Sequence, residues 1–197
     1  MGNQTKSHSS VGTERNLSDD QIARIVQTAN ANPKLRDLRD IVQLLADTGL
    51  RRSELAVLPW SGVDVAKSSI FVLSSMSRYG GRYVPFGSSV AGALESLRQR
   101  RPGSELVLGD DASRLLRRCA LQLKSLTAEI GIPDAGLHAF RRAAILRGFA
   151  SGIAIHTLAA IYGYSAPTLT ARHYLNSAAQ AEHLDRIRKS LDSWFRS

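Results

Sequence analysis

The sequence predicts a mainly α fold with one small antiparallel β-sheet, an α+β domain in which helices dominate. Apolar residues recur at helical spacing through most of the chain. One stretch, 70 to 86, switches to β-branched and aromatic residues on either side of a glycine turn. Glycines and prolines fall at the ends of the periodic runs, where helices stop.

At 197 residues the chain is long enough to bury roughly 70% of its unfolded surface in one core or two small ones. Its apolar share of 43% and charged share of 22% are ordinary for a globular protein, which excludes a disordered or fibrous chain. No apolar run approaches the roughly 20 residues of a membrane helix, and the polar start has no signal-peptide core. The single cysteine, Cys119, forms no internal disulfide, so a reducing, cytoplasmic setting is expected.

Residues 1–16 are polar and aperiodic and read as a leader or linker remnant, with one catalytic unit expected over 17–197. Ser18 and Gln21 have the form of a capping box, followed by Ile22, Ile25, Val26 and Ala29 at helical spacing until Asn32 and Pro33. Leu35, Leu38, Ile41, Val42 and Leu45 mark a second helix that stops at Gly49. A short third helix is expected from Arg51 to Leu58, before Pro59. Ile70 to Ser74 and Arg82 to Phe86 are expected to pair as strands across a turn holding Gly80 and Gly81. Val90, Leu94 and Leu97 mark the next helix, and Leu115, Cys119, Leu123, Leu126 and Ile130 a longer one. Further helices are expected at about 138–151, 154–162 and 167–175. Ala178 to Phe195 forms an amphipathic tail through Ala181, Leu184, Ile187, Leu191 and Trp194.

Charge narrows the function. There are 26 basic and 17 acidic side chains, a net charge of +9, and only five of the 26 are lysine. Guanidinium forks suit bidentate phosphate recognition, so a polyanion such as double-stranded DNA is the expected partner. Arg98, Arg100, Arg101, Arg114, Arg117, Arg118 and Arg147 lie outside the apolar stripes and read as DNA-gripping residues or as a solvated face.

Three segments carry chemistry. Thr48-Gly49-Leu50-Arg51, followed by Glu54 and Leu55, puts Arg51 at a helix start, where the dipole and unpaired amides favour an anion. Glu54 can hold Arg51 or the backbone beside it, although such a pair is also an ordinary surface pattern. His138-Ala139-Phe140-Arg141-Arg142 sets His138 and Arg141 on one helix face, a proton carrier beside a phosphate fork. Tyr162-Gly163-Tyr164-Ser165 lies about ten residues ahead of Tyr174, and a tyrosine acts as a nucleophile when cations stabilise its phenolate.

The order and separation of these segments resemble the tyrosine recombinase, or phage integrase, family. Thr48 to Leu55 is similar to its first arginine box, His138 to Arg142 to its His-x-x-Arg box, and Ile161 to Ser165 to the glycine turn before its nucleophile. Leu58-Pro59-Trp60-Ser61 with Val63-Asp64 resembles the link into the sheet, and Arg82-Tyr83-Val84-Pro85 the returning strand. The likeness spans residues 17–176. It implies the integrase-like catalytic fold and a site-specific recombinase that cuts and rejoins DNA through a 3′-phosphotyrosyl intermediate, without metal or cofactor. Arg51 and Arg141 would clamp the phosphate, His138 would carry a proton and bind phosphate, and Tyr174 would attack. The apolar stripe of the tail fits packing on its own domain as well as what the resemblance implies, docking on a neighbouring protomer to give a tetramer on DNA. Such proteins usually carry a further N-terminal DNA-clamping domain, so the chain is either a fragment of a longer protein or a minimal member.

Two positions depart from the family pattern. The hairpin lysine that protonates the departing oxygen corresponds to Ser77, five residues before Arg82, which leaves Arg78 as the nearby cation. Arginine stabilises charge there but is a poor acid. Tyr164 stands where His or Trp is usual and keeps a hydrogen-bond donor on an aromatic body. These departures imply a weakened enzyme, or, as the alternative, an impaired integrase-fold protein that binds DNA as a regulator.

Overall fold

The computed structural model of the chain describes residues 16–73, 81–132 and 135–164. Ser77, Arg78 and Tyr174 lie outside the described residues, as do residues 1–15 of the expected leader, the expected helix 167–175 and the amphipathic tail 178–195. Seven α-helices and three strands are described: α1 Asp19–Ala31, α2 Arg36–Thr48, α3 Arg52–Ala56, β1 Val63–Asp64, β2 Ser69–Leu73, β3 Gly81–Pro85, α4 Ser88–Arg100, α5 Ala112–Glu129, α6 Leu137–Ala150 and α7 Ile155–Tyr162.

Each helix starts and stops where side-chain chemistry dictates. The Ser18 hydroxyl accepts the Gln21 amide at 3.2 Å and the Gln21 side chain accepts the Ser18 amide at 3.0 Å, the expected capping box on α1. Leu35, expected on the second helix, sits in a 3-10 turn, Pro33–Leu35, that feeds it. Gly49 ends α2 at φ +60°. A side chain there would meet that strain and, at 2.7 Å, the Cδ1 of Tyr162, so only glycine fits. The third helix is shorter than the expected 51–58 and runs Arg52–Ala56. Its start is delayed because Arg51 is extended (φ −71°, ψ 147°), and Pro59 disfavours helical geometry at Leu58.

α2 is the central helix, packing on α1, α4, α5 and α6. Its buried face, Leu38, Ile41, Val42, Leu44 and Leu45, is wider than the predicted stripe because neighbours cover it on several sides. Each such side chain contributes about 1.5–3 kcal/mol on leaving water. Val90, Leu94 and Leu97 of α4 and Leu115, Cys119, Leu123 and Leu126 of α5 complete the core as expected, whereas Ile130 is only half-buried. The sheet has order β1-β2-β3, antiparallel throughout, with Ile70 opposite Val84 and Val72 opposite Arg82. Pairing begins at Ser69, one residue before the expected strand, and β3 ends at Pro85. A further strand, Val63–Asp64, covers the free edge of β2.

The structure corrects the reading of several arginines. Asp37 accepts from Arg100, Arg101 and Arg118 at 2.8–3.2 Å, and fully buried Asp40 pairs with Arg39 at 2.7 Å and Arg100 at 2.6 Å. Arg147 pairs with Asp19 at 2.8 Å, and Arg98 lies over the Trp60 ring at 5.0 Å. These side chains lace α2 to α4 and α5, and α6 to the start of α1. Burial pushes the Asp37 carboxyl up, but the hydrogen bonds and charges of Arg101 and Arg100 outweigh it and hold it below its ordinary value. Arg114 and Arg117 remain exposed on α5, with no ion pair among the described residues.

Candidate active site

Three arginines from three separate elements meet at the C-terminal end of α7. Arg82 Nε donates to the Ile161 carbonyl at 2.7 Å, Arg141 Nη2 to the Tyr162 carbonyl at 2.6 Å, and Arg51 Nη2 to the Gly163 carbonyl at 2.7 Å. Three consecutive carbonyls at a helix end carry the negative pole of its dipole, so cations are favoured there. Gly163 turns the chain at φ +68°, and a methyl group on it would stand 2.9 Å from Arg82 Nη1 and 3.2 Å from Arg51 Nη1. Glycine is therefore required for two guanidiniums to approach this turn.

Glu54 orders two of the three. Its Oε1 accepts from Arg51 Nη1 at 2.8 Å and Arg82 Nη1 at 2.9 Å. Its Oε2 accepts from the Arg51 amide at 2.7 Å and Arg82 Nη2 at 2.8 Å. The Glu54 carboxylate thus holds both the Arg51 fork and the backbone amide at the helix start, the two partners its spacing from Arg51 allowed. Burial raises its pKa, but hydrogen bonds from Arg82 and the Arg51 amide, with the Arg82 charge, bring it below the ordinary value.

Arg141 is the unusual member. Its side chain is 1% exposed, Nη1 donates to the Gly49 carbonyl, and among the described residues no carboxylate pairs with it. Its guanidinium lies 5.1 Å from the centre of the Tyr164 ring, and that of Arg51 lies 5.5 Å from it. Cation–π contacts of this kind contribute about 0.5–2 kcal/mol each. They hold two forks beside one ring, which carries no charge to neutralise them. Among the described residues, three guanidiniums against the Glu54 carboxylate leave the cluster with two positive charges in excess.

His138 opens α6 and reaches the same region. Its ring shares a surface cleft of about 610 Å³ with Arg51, Arg52, Ser53 and Ser113. Partial desolvation, then the charges of Arg141 and Arg51, hold its pKa below 6.5, which favours the neutral ring. Tyr162 is no nucleophile: its hydroxyl donates to the Ala144 carbonyl at 3.1 Å, and burial pushes its pKa up.

Of the residues singled out in the sequence, Arg51, His138, Arg141 and Tyr164 therefore converge, while Arg78 and Tyr174 lie outside the described residues. Arg82 was missed as a site residue. Strand parity contained the signal, because Arg82 shares a face with buried Val84 while Tyr83 and Pro85 point outward. A charge on the core side of a strand needs a partner.

Fold and site together define a helical domain with an arginine cluster at the end of α7, in which Arg141 is buried and Arg51 partly exposed. The sequence matches the profile of the Phage integrase family over residues 15–181, and the chain belongs to that family. It is 30% identical over 169 residues to tyrosine recombinase XerC of Mycobacterium tuberculosis (strain ATCC 25177 / H37Ra), covering 78% of this chain and 56% of the relative. It is 32% identical over 164 residues to XerC of Mycobacterium sp. (strain KMS), covering 76% and 54%. The chain thus spans little more than half the length of these recombinases. The fold is shared with XerA recombinase (TM-score 0.72, 23% identity, 92% of this chain and 66% of that one). It is also shared with the Tn1549 transposon integrase solved with transposon right end DNA (TM-score 0.73, 18% identity, 91% and 68%). Among the described residues no helix is long and apolar enough to cross a membrane.

Proposed function

We propose that residues 17–197 are the strand-breaking and rejoining domain of a site-specific tyrosine recombinase acting on double-stranded DNA in the cytoplasm, with residues 1–16 a leader or linker remnant. The observation that carries this reading is Arg141, a buried guanidinium without a carboxylate partner among the described residues, beside Arg51 over the Tyr164 ring. A buried, uncompensated cation is costly unless an anion completes it. The nonbridging oxygens of a phosphodiester fit two forks. Family membership and DNA-bound relatives, such as the lambda integrase dimer on a core site (TM-score 0.59, 18% identity, 92% of this chain and 51% of that one), supply the macromolecule.

In this reading the Tyr174 oxygen attacks phosphorus, forming the phosphotyrosyl bond as the bond to the 5′ oxygen breaks. The departing oxygen takes a proton and leaves as a hydroxyl, and attack by a 5′ hydroxyl of a partner strand reverses the step. Arg51 and Arg141 neutralise the charge growing on the equatorial oxygens, and neutral His138 binds phosphate and moves a proton. Of the residues near Ser77 in sequence, Arg78 is the cation that can stabilise charge on the departing oxygen where the family usually has a lysine. The segment 178–195 docks on a neighbouring protomer of a tetramer on DNA.

The test is a pool of nicked suicide duplexes with random cores, incubated with the full-length protein and searched for a denaturation-resistant adduct. The adduct itself enriches the preferred site. Tyr174→Phe should abolish it, and Arg141→Ala should slow its formation about 10²–10³-fold. An adduct that persists in Tyr174→Phe would refute the nucleophile. Site-selective binding with no adduct would favour the impaired DNA-binding regulator suggested by Ser77 and Tyr164.

A further inference from the structure

The phosphate clamp as read so far uses Arg51 and Arg141, yet the side chain most completely engaged around it is Arg82. Arg82 is 10% exposed and makes three bonds to two elements: a fork onto both oxygens of Glu54 at 2.9 and 2.8 Å, and one to the Ile161 carbonyl at 2.7 Å. Glu54 oxygens in turn hold the Arg51 side chain and amide. In sequence, the strand carrying Arg82 begins three residues after Arg78, and α7 ends twelve residues before Tyr174.

We propose that Arg82 is a positioning residue: through Glu54 it fixes the direction of the Arg51 fork, and through Ile161 it ties the β2–β3 hairpin to the end of α7. Four donors fill Glu54, so its carboxylate has one orientation, and Arg51 inherits it. Without Arg82 the carboxylate rotates about its terminal torsion and the Arg51 fork moves with it. An Arg51 fork displaced by about an ångström loses its stabilisation of the equatorial oxygens of the reacting phosphate while still attracting DNA by its charge. Lysine in place of Arg82 supplies a point charge but cannot span both Glu54 oxygens and the Ile161 carbonyl.

This inference rests on the recombinase reading above, and its test begins from the duplex that wild-type protein captures. Single-turnover cleavage rates and DNA dissociation constants are compared for wild type, Arg82→Gln, Arg82→Lys, Glu54→Gln and the double variant Arg82→Gln/Glu54→Gln. Arg82→Gln is expected to cleave about 10–100-fold more slowly with its dissociation constant within about twofold of wild type. Arg82→Lys should fall between the two. The double variant should be scarcely slower than the worse single variant, because both act through one bridge. Wild-type cleavage by folded Arg82→Gln overturns the proposal, and so does a loss carried wholly by DNA affinity or a fully additive double variant. If Arg82→Gln fails to fold, Arg82→Lys carries the same comparison. Failure of wild type to form an adduct counts against the recombinase reading itself.

Discussion

At the scale of single residues, the site is a set of cations fixed by three backbone carbonyls at the end of α7, with the Glu54 carboxylate holding Arg51 and Arg82 but not Arg141. Arg141 is fixed by the carbonyls of Gly49 and Tyr162 and by aromatic faces, so its charge remains available to a ligand. His138 reports on that field. With its pKa held below 6.5, the folded protein binds fewer protons than the unfolded chain as pH falls through that value, so this group lowers stability there. Following its ring signals by NMR should give a midpoint below 6.5, and adding inorganic phosphate should raise it, since the anion offsets Arg51 and Arg141. A midpoint at or above 6.5 without phosphate would contradict this electrostatic picture.

At the scale of elements, α2 organises the domain twice over. Its apolar face forms the core, and its acidic residues Asp37 and Asp40 gather arginines from α4, from the residue after α4 and from α5. Asp40 is fully buried, whereas Arg39 and Arg100 keep about a quarter of their side-chain surface, at 23% and 26%. Asp40→Ala leaves those two guanidiniums without that partner. It should cost about 2–3 kcal/mol, read from urea unfolding, with the partial exposure of both arginines keeping it below the cost of a fully buried pair. A change under about 0.5 kcal/mol would mean that water replaces the aspartate.

At the scale of the whole molecule, the count of 26 basic side chains overstates how many are left to meet an external anion. Arg100, Arg101 and Arg118 share Asp37, whereas Arg114 and Arg117 have no such partner among the described residues. On the DNA-binding reading, Arg114→Ala or Arg117→Ala should each reduce the slope of log affinity against log salt by about 1. Arg101→Ala should leave the slope unchanged and lower the unfolding midpoint instead. Equal slopes for all three variants would show that ion pairing within the protein does not decide which arginines meet DNA.

Most of the secondary structure was legible because it follows local rules. The Ser18 capping box, the Gly49 stop and the periodic stripes of α4 and α5 depend on neighbours within a few positions. The Glu54–Arg51 contact was legible for the same reason, since residues three apart meet on one helical turn. The role of Arg82 and the pairing of Arg100, Arg101 and Arg118 with Asp37 were not, because each joins residues distant in the chain whose charges look like surface charges until their partners are known. By itself the sequence determined the helices, their apolar faces and the types of residue able to hold a phosphate. Only the tertiary structure decided which guanidiniums are neutralised and which are kept, because electrostatic pairing depends on distance in space, and folding brings Gly49, Arg82, Arg141 and Gly163 to one point.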